Sequence, residues 1–336
     1  MTLKAARYAQ DVVGDAPNRR DSVSIRFVKT LFVSLSLLLV SLVTAAPAFS
    51  APLNITVVIS NDSGAYVEIA ESISNGANRA IAGKIQVIGV NALAQLDDTS
   101  ADVIVAVGVK AAQAVASKDL RVPVLNTLVP RITFEKIARQ RRTKSDNQFS
   151  AVYLDQPIAR QLDLIRQVMP ARKRVGVIVG PDSHGLLESL QAEVRARGLE
   201  LNAVRINTET ELFPALENVL SEVDVLLALP DSLVSTSHTI QSVLFTAYRH
   251  QVPVIGFSPA YVKAGALVAV HSTPAQLARQ VNEILQRLSA NPTLPAPQHP
   301  EYFSIAVNAH VARSLEIPVE GEEAVAAKLR GAKPKP

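Results

Sequence analysis

Eight short apolar runs, at 55–60, 85–90, 103–107, 122–126, 174–179, 200–206, 223–229 and 253–257, are rich in β-branched residues and continuous in hydrophobicity. A strand buried on one face only must alternate, because successive side chains point to opposite sides. A continuous run marks a strand covered by helices on both faces, as in a parallel sheet. The intervening segments carry the helical period: Tyr66, Ile69, Ile73 and Ala77 in one, Leu187, Leu190 and Val194 in another, with Gly198 placed to end the latter. Segment 274–288 is the clearest, with Leu277, Val281, Ile284, Leu285 and Leu288 on one stripe, Pro274 in the first turn, and Thr273 and Gln276 spaced as a capping box. Such alternation predicts a doubly wound α/β architecture with right-handed crossovers.

The rhythm breaks once, between Val129 and Phe149, where a basic polar stretch stands in place of a strand–helix unit. Within it Lys136, Arg139, Arg141, Arg142 and Lys144 read as a solvated helix end. Two groups of about four units on either side imply two similar Rossmann-like lobes with parallel sheets. Pro292, Pro295, Pro297 and Pro300 suit a crossing segment, not a helix, and the Lys- and Pro-rich residues 331–336 read as a disordered end.

Leu31 to Val43 is an apolar run of roughly 13 residues, preceded by Arg26 and Lys29 and followed by small residues up to Ala51. That length fits a secretory h-region and falls short of the roughly 20 residues that span a bilayer. Cleavage is expected between Ala48 and Ala51, with residues 1–50 as the leader and a periplasmic mature protein. The first 50 residues hold six of the 34 Lys and Arg and three of the 30 acids, leaving 28 basic and 27 acidic residues beyond them. This even balance lacks the basic footprint of nucleic-acid binding. With no cysteine there is no disulfide framework, thiolate metal site or lipid-modified cysteine, so a lipoprotein is not expected.

In open parallel sheets ligands bind outside the carboxyl ends of the strands. The residues there are small and polar: Ser60, Asn61, Ser63 and Tyr66 after the first run, Gly108 after the third, Asn126 after the fourth, then Asp182, Asp231, Ser258 and Tyr261 in the second half. Singly, each Asp, Ser or Asn is also an ordinary helix cap; their gathering at one sheet edge is what points to a site. His184, His238, His250, His271, His299 and His310 show no paired metal spacing, and no nucleophile elbow, Walker loop or dinucleotide fingerprint is present. An enzyme is therefore not expected, and no cofactor or metal is called for.

Four stretches look like a known family: Phe149-Ser150-Ala151-Val152-Tyr153-Leu154-Asp155-Gln156-Pro157; 226–231, ending Leu229-Pro230-Asp231; 252–266, with Gly256-Phe257-Ser258-Pro259-Ala260-Tyr261 at its centre; and Val307-Asn308 with Ala312-Arg313-Ser314-Leu315. The chain resembles the proteobacterial ABC transporter substrate-binding proteins of the ABC_sub_bind type. The resemblance implies a type I periplasmic binding protein fold, two lobes joined by three crossing segments near 151–156, 269–273 and 296–303. It implies a first lobe of 51–150 plus 272–292, a second of 151–271 plus 293–318, and a tail at 319–336. Some members bind aromatic amino acids, and around Asn61–Tyr66 and 231–235 this chain departs from their pattern.

A bilobal protein of this kind closes on its ligand, stabilised by contacts that exist only when closed. Ser60, Asn61, Ser63 and Tyr66 are expected to face Asp155, Asp182, Asp231, Ser258 and Tyr261 across the groove. Tyr66 or Tyr261 would stack on a flat ligand, Asp182 or Asp231 would take an ammonium, and Ser63 with the adjoining helix N-terminus would take a carboxylate. The leading expectation is a monomeric extracytoplasmic solute-binding protein that delivers a small organic solute, an amino acid or aromatic compound among the options, to an ABC permease. The alternative is a binding protein of the same fold read by a membrane sensor.

Overall fold

In the computed structural model, residues 52–95, 101–118, 120–141, 148–236 and 238–331 are described; the leader, its cleavage site, Arg142, Lys144 and residues 332–336 lie outside them. Five parallel strands open the chain: β1 (Leu53–Ile59), β2 (Ala82–Gly89), β3 (Val103–Val107), β4 (Val124–Val129) and β5 (Phe149–Tyr153), in the order β2-β1-β3-β4-β5. Helices α1 (Ala65–Ala80), α2 (Val109–Ala116) and α3 (Arg131–Gln140) connect them. Along β1, Ile55, Val57 and Ile59 pack with α1 on one face while Val58 packs with α2 on the other. Burial on both sides is why the run is continuous.

The second sheet contains β6 (Arg174–Val179), β7 (Glu200–Arg205), β8 (Val225–Leu227), β9 (Val254–Gly256), β10 (Val268–His271) and β11 (Ser304–Val307), in the order β11-β10-β9-β8-β6-β7. Only β11, against β10, is antiparallel. One face is covered by α4 (Ile158–Val168) and α5 (Leu187–Ala196), the other by α6 (Leu212–Leu220), α7 (Thr239–Arg249) and α8 (Pro259–Ala264). The parallel part repeats the strand order of the first sheet, so the molecule is two Rossmann-like α/β units of the type I periplasmic binding protein kind.

Helix α9 (Pro274–Ala290) follows β10 in the chain but packs on α1, burying Leu277, Val281, Ile284, Leu285 and Leu288 in the core of the first sheet. Its start has the full capping box: Thr273 accepts from the Gln276 backbone and the Gln276 side chain accepts from the Thr273 backbone. The chain then runs without a helix to β11, touching β5 through a bridge between Val152 and Gln298. Helix α10 (Ala309–Ser314) follows, and α11 (Glu322–Gly331) packs on β11. The chain thus crosses between sheets three times, after β5, after β10 and before β11. These crossings are tied together: Gln156 Nε2 donates to Ser272 Oγ at 2.8 Å, Ser272 Oγ donates to the Tyr302 carbonyl at 2.6 Å, and Arg160 donates to the Pro300 carbonyl at 2.8 Å.

Three expectations need correction. The rhythm does not break after Val129, because α3 occupies 131–140; only Phe134 and Ile137 on it are fully buried, too few apolar positions to advertise a helix. Asn126 does not follow the fourth strand but sits inside β4, wholly buried, with Nδ2 donating to the Ser150 carbonyl at 2.9 Å. The tail from 319 holds α11, anchored by Val325, Ala326 and Leu329.

Candidate functional site

In both sheets the strand order reverses beside the first strand, between β1 and β3 and between β6 and β8, and a crevice opens where neighbouring loops diverge in opposite directions. A cleft of about 340 Å³ lies there in the second sheet. One wall is Asp182 and Leu186 after β6 with Pro230, Asp231 and Ser232 after β8. The other belongs to the first sheet: Gln113 on α2, Pro130, then Ile132, Thr133, Lys136, Ile137 and Gln140 on α3, with Asp155 after β5.

Local backbone chemistry places α3 on this wall. The ladder of β4 and β5 slips between Thr127 and Val129, and Leu128 takes a left-handed conformation with φ 59°. A bulge of this kind bends a strand and redirects the residues after it. Pro130 then fixes the entry to α3, and the cap comes from the neighbouring strand: Asp155 Oδ1 accepts from the Arg131 backbone at 2.6 Å. Burial pushes the Asp155 carboxyl above its usual range, against that hydrogen bond and the nearby His299. His299 Nδ1 is hydrogen-bonded to the Asp155 carbonyl at 2.9 Å and lies 3.9 Å from Asp155 Oδ2.

On the opposite wall the two loops brace each other. Asp231 Oδ2 accepts from the Ser183 backbone at 2.9 Å and the Ser183 hydroxyl at 2.7 Å, while Oδ1 accepts from the Leu233 backbone at 2.9 Å. Asp182 Oδ2 accepts from the Ser232 backbone at 3.1 Å and from its hydroxyl. Those Ser232 hydrogen bonds, with Lys136 across the cleft, hold the Asp182 carboxyl below the usual carboxylate range, so it is ionised at neutral pH.

Of the eleven residues the sequence singles out, Asp155, Asp182 and Asp231 line this cleft, and the other eight do not. Ser60 braces the first sheet's switch point, donating to the Val107 carbonyl and accepting from the Ala111 backbone, each at 2.9 Å. Gly108 has φ 92°, and a Cβ there would sit 2.4 Å from the Tyr66 ring and 2.7 Å from Ser60 Oγ. Tyr66 itself packs against the core beneath α1. Asn61 and Ser63 are exposed and bonded to each other, Asn126 is interior, and Ser258 caps α8 by accepting from the Tyr261 backbone. Tyr261 is a core residue, its ring 5.0 Å from that of Phe257; burial pushes its hydroxyl up to about 12, against the opposing effect of Ser235.

Sequence reading missed the α3 wall, above all Lys136 and Ile132. The signal was Pro130 directly after a buried strand, a common helix entry. Among the described residues no cluster of three or more His, Asp or Glu is placed to hold a metal ion, and no helix is long and apolar enough to cross a membrane.

Residues 68–329 match the family described as ABC transporter substrate binding protein. The chain belongs to that family. Over 170 residues it is 25% identical to the tyrosine-binding protein of Clostridioides difficile (strain R20291), a match covering 49% of this chain and 48% of that protein. The chain thus spans about half the length of the curated relative it matches. Among solved structures, the ligand-free, open form of a substrate binding protein with adhesive properties from Clostridium difficile superposes with a TM-score of 0.65 at 17% identity, covering 81% of this chain and 97% of that one. An ABC domain in complex with L-Trp from Streptococcus pneumonia gives 0.55 at 17% identity, covering 82% and 98%. A conserved domain protein from Vibrio cholerae gives 0.56 at 20% identity, covering 83% and 98%. At such identities the structural likeness speaks for the fold, and the family's members are binding proteins.

Proposed function

We propose that this family member is the solute-capturing component of an ABC import system working outside the cytoplasm. It takes a small zwitterionic solute of the amino-acid type into the cleft between α3 and the loops after β6 and β8, and hands it to a membrane permease. The observation that carries this reading is the placement of complementary charge on two walls that belong to different sheets: Lys136 and Asp155 on one, Asp182 on the other. Lys136 suits a carboxylate and the acids suit an ammonium. A solute that engages both walls at once favours closure by its differential contacts alone. The relatives named for tyrosine and L-Trp support an amino-acid ligand.

The test is a thermal-shift screen of the purified protein against amino acids, nucleosides and sugars. A ligand held at 100 times its Kd adds about 2.7 kcal/mol of stability. A shift by one solute class supports capture; no shift across the whole library overturns it. Fractionation that leaves the protein in the cytosol would overturn the compartment.

A further inference from the structure

The cleft carries more negative charge than a neutral amino acid can answer. Among its described lining residues Lys136 is the one cation, against Asp155, Asp182 and Asp231. Asp231 is spoken for, buried to 6% exposure with three donors on its two oxygens. Asp155 and Asp182 are different. Each gives one oxygen to a backbone N–H of its own wall, Arg131 for Asp155 and Ser232 for Asp182. The Ser232 donors both fall on Oδ2 of the exposed Asp182, and Asp155, held by the backbone of Arg131 and of its own residue, has Oδ2 3.9 Å from the His299 ring. Two carboxylates, one per wall, therefore line a cleft that holds one lysine.

The apolar part of the lining is Pro130, Ile132, Ile137, Leu186 and Pro230, with no aromatic ring among them. Tyr261 is packed into one core and the half-buried Tyr66 lies against the other, and neither ring lines this cleft. Branched aliphatic walls suit methylene groups, whereas a flat ring gains most from an aromatic face.

We propose that the cleft selects an aliphatic amino acid with a cationic side chain, an inference that rests on the capture reading above. The solute's carboxylate meets Lys136, its α-ammonium and its side-chain cation meet Asp155 and Asp182, and its methylene stem lies along Ile132, Ile137 and Leu186. Each charge on the solute then has a counter-charge, and both walls are drawn together. A neutral stem of equal length would leave one carboxylate desolvated and unpaired, which is costly.

Isothermal titration of the full-length protein with L-lysine, L-ornithine, L-norleucine, L-tyrosine and L-tryptophan tests this. Lysine or ornithine should bind, and norleucine, which has lysine's stem without its charge, should bind at least about 100-fold more weakly. Asp182→Asn should weaken lysine binding by about tenfold or more, with circular dichroism confirming an unchanged fold. Norleucine equal to lysine, or tyrosine or tryptophan tighter than both basic probes, overturns the charge inference and leaves solute capture standing. Silence from lysine and ornithine together with a hit elsewhere in the broad library does the same. Silence across the whole library removes both.

Discussion

Asp231 and Ser183 are joined twice, through the serine backbone at 2.9 Å and its hydroxyl at 2.7 Å, and this pair holds the loops after β6 and β8 together at the point where the sheet's strand order reverses. The same hydroxyl accepts from the Gly180 backbone at 3.1 Å, so one serine links the end of β6 to a carboxylate arriving from β8. There is no slack around it, since a Cβ at Gly180 would lie 2.3 Å from Asp231 Oδ1. Removing the carboxylate strands buried donors on Ser183 and a half-buried one on Leu233. We expect Asp231→Ala to lower unfolding free energy by about 2–4 kcal/mol, measured by urea titration; a loss below about 0.5 kcal/mol would contradict the bracing role.

In the first sheet the corresponding joint is Ser60 against Gly108. Here φ is +92°, which side chains other than hydrogen rarely adopt, and the added methyl would press on the Tyr66 ring. Gly108→Ala should cost about 1–3 kcal/mol from strain and crowding together, read as a drop in thermal midpoint. Tyr66→Ala in the same background should recover none of the conformational part.

Asp224 sets an acid limit on stability. Burial pushes its carboxyl up, but hydrogen bonds from the Arg174 side chain at 2.7 and 3.2 Å and from the backbone of Arg174 and Lys173 outweigh it and hold the group at about 2. Because the folded value lies below the unfolded one of about 3.9, this stability is present above about pH 4 and is lost as the pH falls toward 2. Arg174 is largely exposed, so solvent screening limits the effect to about 1 kcal/mol. Urea midpoints from about pH 5 to about pH 2 should fall less steeply in Asp224→Asn than in the parent.

The Gln156 amide links the first and second crossings through Ser272, and Arg160 joins Gln156 to the third. Gln156 is buried, so Gln156→Leu leaves its partners without it and should cost about 1–3 kcal/mol. Amide exchange at 298–303 should speed up at the same time. Unchanged exchange there would show that the crossings do not depend on this link.

Much of this architecture could be read from the chain because burial on both faces writes itself into sequence. Val57, Val105 and Val177 stand in continuous runs since no face of their strands meets water. The capping box of α9 was equally plain, being local chemistry between Thr273 and Gln276. β10 and β11 were harder: short strands paired with each other across the whole of α9 and the segment after it, they offer no period to detect. At the cleft, Asp182 and Asp231 stood out by following strand ends, and Asp155 through the family resemblance of 149–157. Lys136 did not, because its neighbours Arg139 and Arg141 made the helix look like solvent-facing charge. Tyr261 misled for the opposite reason: a polar tip on a large ring gives no sign of which end the fold will hide.

Helix α9 has a consequence for how the molecule comes into being. A polypeptide stopped at His271 would possess every strand of the first sheet and still leave Ile69, Ile73 and Ala77 of α1 without the partners that α9 supplies. The amino-terminal half therefore waits for a piece made near the end of synthesis. An amino-terminal half made without α9 should expose the apolar face of α1 that α9 covers.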